Sequence, residues 1–575
     1  METHTHSDRR GFALVMTVLV VLIIGSLVAS AALIASNHML VNRFYERQSE
    51  LEMAADQGLE WARAKLNSDK ALYPAEGYSA LEVNAEVTDG AGNVIPGVAR
   101  TIYVGPSGVT SGQYGVFGTL LSVVEEEGGG IVIHRSQVFQ ESFSKYAYFT
   151  DIEPSSISFG GGDQIFGPVH TNDYVKIYSS GATFHGLVRT AKTVTTPQYG
   201  TFKQGYEENV SPIGMPETAE LSKLKSQAEA GGTAFVGNTS GSTGEATTRI
   251  EFMAIDLNGD GDESDVNEGF IRVYQSSNAA WVTGTTSTLT NLDQCGDYHG
   301  STFVSAKAHT TPGGYGHTAA TALASSTRRC YLGGSDSIWG GFVATDSYGG
   351  WLQYSGTPSS LLDGRADRQY LFPITRALNP NFKGVIHVTG KVVISGRLRG
   401  RVTIAATSDI VIGDDLTYVT DPGAGTCVDM LGIFSGTDVI VADNFLNSPW
   451  KYSSSTSYRT YDDTKDEFIH GTVLALSNFT VQDYSSGATS TESCEGSSWG
   501  RGCLYLAGGI IQSQRGAVGT TSGTGYVKRY SYDICGATNP PPYFPTTGYF
   551  ARGQYYNVDP VGFDVASFYA LITPS

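Results

Sequence analysis

The chain has 575 residues, of which only 16% are charged, and its formal net charge is −19. Its 70 glycines are about 12% of the chain, against a usual ~7%. An acidic surface does not neutralise phosphates, so the composition excludes a nonspecific nucleic-acid-binding protein and a polybasic reader of membrane surfaces. The 40% of hydrophobic residues is enough for a large folded core.

The first predicted element is a long apolar helix. Residues 12–35 are 24 consecutive residues without a charge, and Arg9 and Arg10 precede them. At 1.5 Å per residue this helix would extend about 36 Å, enough to cross a ~30 Å bilayer core. The two arginines place the N-terminus in the cytoplasm and the rest of the chain outside. Apolar residues then recur at three, four or seven residues as far as Leu66, which predicts an amphipathic continuation of the helix.

Three interpretations of this N-terminus compete. The first is a secretory signal peptide cut after the Ala-Ser-Ala of residues 29–31, and the second is a plain membrane anchor. The third is a prepilin leader, which is cut before the apolar segment instead of after it. The third interpretation explains the amphipathic continuation, because a signal peptide that is discarded needs none.

Two segments resemble the N-terminus of PilX-type type IV minor pilins: Arg-Gly-Phe-Ala-Leu-Val at 10–15 and Glu-Met-Ala-Ala-Asp-Gln-Gly-Leu-Glu at 52–60. The resemblance implies that a prepilin peptidase cuts between Gly11 and Phe12 and that Phe12 becomes N-methylated. It implies a single-pass protein of the bacterial inner membrane with a periplasmic head, which later reaches a pilus or the cell surface. Its partners would be other pilins, contacted through the N-terminal helix.

The sequence departs from the pilin pattern at three positions. Most pilins have a glutamate at the fifth mature residue, where this chain has Met16. Asp56 and Gln57 stand where the second motif usually has glutamate and alanine. The missing acid is consistent with a subunit at the tip, which pairs with no subunit above it. A head of roughly 500 residues would also crowd a shaft of small pilins, so we expect a tip position or a low copy number.

The remaining sequence predicts an α+β protein, with the long helix followed by a small antiparallel sheet and a large mainly-β domain. Short apolar segments with glycine corners start seven to ten residues apart between 384 and 412. This spacing favours a β-solenoid-like domain, and a sandwich is the alternative. The expected divisions are a leader at 1–11, the helix at 12–70, the sheet at 71–150 and the head at 151–575, with loop inserts around 195–350 and 450–500.

Three short segments extend the resemblance to the large domain. They are residues 166–172, 390–396 and 540–545, and they look like sequences found in large domains of pilus-assembly proteins with PilX-like N-termini. Between them, residues 216–230 predict a short helix that begins at a proline and ends at two glycines. The resemblance brings no enzymatic activity with it.

The sharpest local motif is an acidic loop that matches the start of an EF-hand loop, with oxygen-bearing side chains at alternate positions and Gly261 at the turn. Its twelfth position is Asn267 instead of glutamate, and both flanks look like strands. We therefore expect a strand–loop–strand site for a structural Ca²⁺, and the alternative is a solvated acidic turn. The candidate ligands are Asp256, Asn258, Asp260, Asp262, Ser264, Asp265, Asn267 and Glu268.

The six cysteines of an exported chain favour disulfides. Cys494 and Cys503 close a short loop and form the preferred pair, and the pairs Cys295–Cys330 and Cys427–Cys535 then follow by order. Free buried thiols are the alternative. There is no Cys-x-x-Cys motif, which disfavours a zinc ribbon.

Catalytic motifs are weak in this sequence. His170 and His185 could meet in neighbouring coils, and the acid pairs at 414–415 and 462–463 could serve a polysaccharide-active enzyme, although adjacent acids are usually turn residues. No Gly-x-Ser-x-Gly, His-Glu-x-x-His or phosphate loop occurs. We therefore expect a minor pilin without enzymatic activity, whose head serves assembly or adhesion. The alternatives are a type II secretion tip pseudopilin and a membrane-tethered exported enzyme.

Overall fold

A computed structural model describes residues 9–74, 76–107, 115–239, 245–281, 296–299, 302–305, 350–356, 359–362, 368–442, 450–452, 456–458, 466–482, 484–485, 494, 502–520, 524–552 and 563–573. The chain divides into two units. The first consists of residues 1–109, 117–139 and 550–575, and the second of residues 110–116 and 140–549.

The elements in chain order are α1 Arg9–Ser68, β1 Ser79–Thr88, β2 Val94–Pro106, β3 Phe117–Glu126, β4 Ile131–Ser142, β5 Tyr148–Ile152, β6 Asp163–Ile165, β7 Val169–Thr171, β8 Val175–Lys176, β9 Ala182–Phe184, β10 Val188–Thr190, β11 Val194–Thr195, β12 Gly200–Phe202, β13 Tyr206–Glu207, α2 Ala219–Gly231, β14 Ala234–Val236, β15 Glu245–Ala254 and β16 Gly269–Trp281. They continue with β17 Gly296–His299, β18 Thr302–Ser305, β19 Gly350–Trp351, β20 Leu371–Pro373, β21 Val385–Thr389, β22 Val392–Leu398, β23 Arg401–Ala406, β24 Ile410–Tyr418, β25 Met430–Ser435, β26 Val439–Val441, β27 Trp450–Tyr452, β28 Thr456–Tyr458, β29 Glu467–Ala475, β30 Phe479–Val481, β31 Cys503–Gln514, β32 Val527–Ser531, α3 Cys535–Thr538, β33 Thr546–Arg552 and α4 Val565–Ile572.

The first unit is a long helix packed on an antiparallel sheet. The strand order is β1-β2-β3-β4-β33. Strand alternation sends Ile102 and Val104 of β2 toward the C-terminal half of α1, while Tyr103 points to the opposite face, where it contacts Tyr569 of α4. The apolar stripe of α1 that covers the sheet is the one predicted from its spacing. Its buried members are Leu51, Ala55, Leu59, Ala62 and Leu66.

The end of the chain belongs to this first unit, which corrects the predicted head of 151–575. Phe550 is buried in the cluster between α1 and the sheet, and Asn67 of α1 donates to the Phe550 carbonyl at 3.0 Å. Further on, the Arg135 guanidinium lies 4.0 Å from the centre of the Phe563 ring, and Tyr78 packs edge-on against Phe568. In sequence, the large unit is therefore inserted between β4 and the end of β33.

The second unit is built from parallel strands stacked in long ladders. One ladder runs β14-β21-β23-β25-β29-β31-β5-β7-β10-β13, and every pairing in it is parallel. A second runs β15-β22-β24-β26-β30, and a third runs β31-β32-β6-β9-β12. Parallel pairing between successive turns of the chain is typical of stacked coils and differs from the antiparallel sheets of a sandwich.

The order of the coils in space differs from their order in sequence. The coils of residues 148–207 stack on the last coil, 503–531, through the pairs β31–β5 and β32–β6. Helix α2 then connects these coils to β14, which pairs with β21. The apolar side chains inside the coils form one large buried cluster that includes Ile165, Val388 and Ile510.

The first ladder carries a second buried cluster on its outer face. Residues in register along it form what we call the outer column, consisting of Ala234, His387, Ala405, Phe434, Leu474, Ile511, Phe149 and His170. Helix α2 covers part of this column with Leu221, Leu224 and Ala228, and Phe544 also packs in the cluster. The segment 540–545, noted in the sequence, is therefore part of the cover of the outer column.

Candidate functional site

The candidate functional site is the half of α1 that lies N-terminal to its contact with the sheet. Its large apolar side chains are exposed from Phe12 to Tyr45, whereas burial begins at Leu51. Within the described residues, the segment Gly11–Ser68 is the one helix long and apolar enough to cross a membrane, by length and composition alone. A signal sequence would meet the same criterion.

The predicted processing residues lie at the start of this exposed half. Both are in α1, Phe12 is 71% exposed, and a Cβ placed on Gly11 would meet nothing within 4 Å. Met16, which stands where pilins usually have an acid, lies about one turn later and is 47% exposed. The site for a peptidase is thus accessible, and cleavage itself stays a prediction.

The motif at 52–60 packs tightly against the sheet at Gly58. A Cβ on Gly58 would lie 2.8 Å from Cδ of Arg100 and closer still to Oγ of Ser122. The Arg100 guanidinium donates to Glu82 at 2.8 Å and to the Ala54 carbonyl of α1 at 3.3 Å. Glycine at this position therefore allows the buried arginine to reach the backbone of the helix.

Side chains along α1 add polar contacts to the same sheet. Asp56 stands where PilX-type minor pilins usually have glutamate. Its carboxylate oxygen Oδ1 lies 2.8 Å from the ring nitrogen Nδ1 of His134. Nearer the exposed half, Nε of Arg47 donates to Glu126 at 2.7 Å. These contacts fix the C-terminal half of α1 to the sheet and end where the apolar exposure begins.

The predicted calcium loop lies between β15 and β16, which pair as an antiparallel hairpin, so the strand–loop–strand form is present. Its side chains bond to the loop itself. Asp256 accepts from the N–H groups of Gly259 and Gly261, Asn258 from Asp260 at 2.9 Å and Asp262 from Ser264 at 2.8 Å. Glu268 is buried and accepts from the N–H groups of Leu257 and Asp265, both at 2.8 Å.

Two arginines contact this loop, one through its backbone and one through an ion pair. Nε of Arg399 donates to the Asp265 carbonyl at 3.0 Å, and its Nη2 donates to the Ser264 carbonyl. Arg397 forms an ion pair of 3.1 Å with Glu263. In the part of the chain that the structure describes, no group of three or more His, Cys, Asp or Glu side chains converges as for a metal ion. The oxygen donors suit Ca²⁺ chemically, and calcium binding stays a prediction.

Two of the three predicted disulfides are present. Cys427 is bonded to Cys535, 108 residues away, and Cys494 is bonded to Cys503, nine residues away. The third predicted pair, Cys295 and Cys330, lies outside the described residues.

The two histidines that were considered for a joint site do not share one. His170 lies in the outer column, stacks on Phe149 and has its Nε2 3.0 Å from Oδ1 of Asn172. His185 stacks on Phe166 instead, and its Nε2 lies 2.9 Å from Oε1 of Gln164. The reason is topological, because β7 leads into the first ladder and β9 into the third.

The acid pairs give no catalytic geometry among the described residues. Asp415 accepts from the N–H of Phe468 at 2.8 Å, which is a structural contact. Residues 462–463 lie outside the described residues. Sequence reasoning missed the outer column, although a near-continuous apolar run, as in the strand Val385–Thr389, is a signal of burial on both faces.

No protein-family model and no curated protein matches this chain. Among solved structures, the chain is similar to the crystal structure of the competence-associated pilin ComZ from Thermus thermophilus, at 12% sequence identity. The alignment covers 88% of this chain and 95% of that chain, with a TM-score of 0.24. A TM-score of this size does not establish a shared fold.

Proposed function

We propose that this chain is a type IV pilin-like protein, and more narrowly a PilX-type minor pilin with a large head used for assembly or adhesion. The observation that supports this most is the division of α1 into two halves. The C-terminal half is fixed to the sheet around Gly58, and the N-terminal half extends from the sheet with its apolar side chains exposed. A continuous apolar surface of this kind has to be covered by lipid or by other helices.

The proposed life cycle has two stages. A prepilin peptidase first cuts between Gly11 and Phe12, and residues 12–35 hold the protein in the bacterial inner membrane with its head in the periplasm. The helix then leaves the bilayer and packs among the helices of other pilins, in a pilus or at the cell surface. Lipid covers the apolar residues in the first stage and neighbouring helices cover them in the second.

We place the protein at the tip or in low copy. The second unit spans residues 140–549, and a head of this size limits how closely copies can pack along a shaft. Met16 in place of an acid supports the same placement. We propose that the protein has no enzymatic activity and binds no nucleic acid. Any calcium bound at the loop 256–268 would have a structural role.

The test is N-terminal mass analysis of the protein from membranes and from sheared surface filaments. We expect a mature end at Phe12, with or without a methyl group, and we expect Gly11→Val to block cleavage. Gly25→Val is the matched control, because Gly25 lies on the same helix and its Cβ would also meet nothing within 4 Å. An end near Ser36 or an uncut Met1 would refute the proposal. Absence from sheared filaments would favour a secretion pseudopilin.

A further inference from the structure

Three buried charged side chains and one that is partly buried, Lys528, meet at the seam where the N-terminal coils of the second unit stack on its last coil. Glu153 and Asp163 come from the coil that begins with β5, and Arg515 and Lys528 come from the coil of residues 503–531. The side chains of Glu153 and Arg515 are 0% and 3% exposed, and Nη1 of Arg515 lies 3.1 Å from the Glu153 carboxylate. Charges are rarely buried this deeply without a specific partner.

Lys528 and Asp163 face each other across this seam. Strands β32 and β6 are parallel neighbours in which Tyr530 is opposite Ile165. Two residues earlier in each strand, Lys528 is therefore opposite Asp163. Tyr530 and Ile165 are both in the main buried cluster. Because side chains two residues apart share a face of a strand, Lys528 and Asp163 also point into the coil. Nζ of Lys528 lies 2.9 Å from Oδ2 of Asp163.

The other two charged side chains at the seam, Arg515 and Glu153, already neutralise each other. The side chains of Lys528 and Asp163 are 17% and 5% exposed. Arg515 lies 3.8 Å from the centre of the Phe159 ring and is neutralised by Glu153, which also accepts from Tyr148 at 2.8 Å. A second ion pair here carries a large desolvation cost and gives weak evidence for stability.

Burial at the seam makes the ammonium form of Lys528 less stable than it is in water. Burial lowers the pKa of Lys528. The Asp163 carboxylate opposes that shift in part, whereas the nearby Arg515 charge adds to it. A lysine amine becomes a nucleophile when its ammonium form is destabilised in this way.

We propose that Lys528 and Asp163 condense into an amide that covalently joins β32 to β6. Transfer of a proton from the Lys528 ammonium to the Asp163 carboxylate first makes both groups neutral. Nζ then forms a bond to Cγ, the C–O bond to the hydroxyl breaks, and the hydroxyl leaves as water with a proton from the nitrogen. No oxidant or cofactor is needed. The product is uncharged, so it removes both buried charges, and the fold supplies the proximity that such a reaction requires.

The bond would fasten a seam that the chain itself does not connect. Lys528 and Asp163 are 365 residues apart in sequence. An amide would also persist under reducing conditions, in contrast to the Cys427–Cys535 disulfide. The pair Lys391 and Asp409 is a matched control within the same unit, because it is also largely buried but its Nζ and Oδ2 are 3.4 Å apart. Both carboxylates accept a further hydrogen bond, Asp163 from the Gly160 N–H at 3.1 Å and Asp409 from Oγ1 of Thr437. We expect the pair Lys391 and Asp409 to stay ionic.

Mass spectrometry of the folded full-length protein, reduced and alkylated, tests the proposal. Trypsin should release a branched peptide that joins residues 146–176 to 516–529, and its mass should be lower by about 18 Da, one water, than the sum of the two peptides. Lys528→Arg keeps the charge opposite Asp163 and should abolish the branched peptide, whereas Lys391→Arg should leave it unchanged. A linear peptide ending at Lys528 from the wild-type protein, or an amine there that accepts an acylating label after unfolding, would overturn the proposal.

Discussion

Replacing Gly58 by valine tests how the C-terminal half of α1 is held on the sheet. The new Cβ would lie 2.8 Å from Cδ of Arg100 and closer still to Ser122, so one of these side chains has to move. Movement of Arg100 would weaken its hydrogen bonds to Glu82 and to the Ala54 carbonyl of α1. The substitution therefore acts on the contact that fixes the helix, and not on the fold of the second unit.

The size of the effect follows from two opposing contributions. Overpacking of a close contact costs about 1–3 kcal/mol. The helix propensity of valine is more favourable than that of glycine by about 0.4 kcal/mol. We therefore expect α1 to open more easily from the sheet by about 1.6 kcal/mol, which corresponds to roughly a 15-fold change in the opening equilibrium.

Hydrogen exchange of the full-length protein in detergent measures this opening directly. Amides of residues 51–66 should exchange roughly 15-fold faster in Gly58→Val than in the wild-type protein. Gly25→Val is the control, because its Cβ would meet nothing within 4 Å, and it should leave the exchange of residues 51–66 unchanged. Equal protection of these residues in Gly58→Val and wild type would refute the close-contact explanation.

Three further predictions concern the second unit. Because a disulfide that closes a longer loop removes more entropy from the unfolded chain, Cys427→Ser should lower the free energy of unfolding by about 4.7 kcal/mol and Cys494→Ser by less than about 3 kcal/mol. Equal losses in denaturant titrations would contradict this explanation. Burial lowers the pKa of His387 to about 4 and leaves neither ring nitrogen with a hydrogen-bond partner among the described residues. As the pH falls below about 6.5, His387 becomes protonated in the unfolded chain but stays neutral in the folded protein, so its contribution to the free energy of unfolding decreases until about pH 4 and is constant below that. His387→Leu should flatten this part of the plot of stability against pH, and an unchanged slope would contradict the prediction. If the acidic loop binds Ca²⁺, the ion at 100 times its Kd should stabilise the protein by about 2.7 kcal/mol in thermal unfolding, and Asp260→Asn with Asp262→Asn should remove this gain; no response of the wild type would leave the loop a solvated turn stabilised by arginine.

Local patterns in the sequence determined the elements that depend on near neighbours. The charge-free run of 24 residues and the apolar spacing that follows it predicted α1, because a period of 3.6 residues places an apolar stripe on one face. The flanks of the acidic loop predicted a hairpin, which β15 and β16 form. The proline and glycines around 216–232 predicted a helix, and α2 ends where Gly232 adopts a left-handed conformation.

Only the tertiary structure decided which coils stack on each other. Many of these strands are apolar on both faces and would suit several parallel neighbours, so nothing local to β5 or β31 shows that they pair. The placement of residues 550–552 and 563–573 in the first unit is likewise decided by the tertiary structure, because Phe550 is apolar enough to be buried in either unit.

The candidate sites divide in the same way. The processing residues Gly11 and Phe12 are defined by their neighbours in sequence, and the structure adds that they are accessible. The pairing of Lys528 with Asp163 joins positions 365 residues apart, each of which looks like an ordinary exposed polar residue in its own segment. Their burial follows from the stacking of two coils, and the free energy that selects this stacking is summed over the whole core and has no counterpart in any single stretch of sequence.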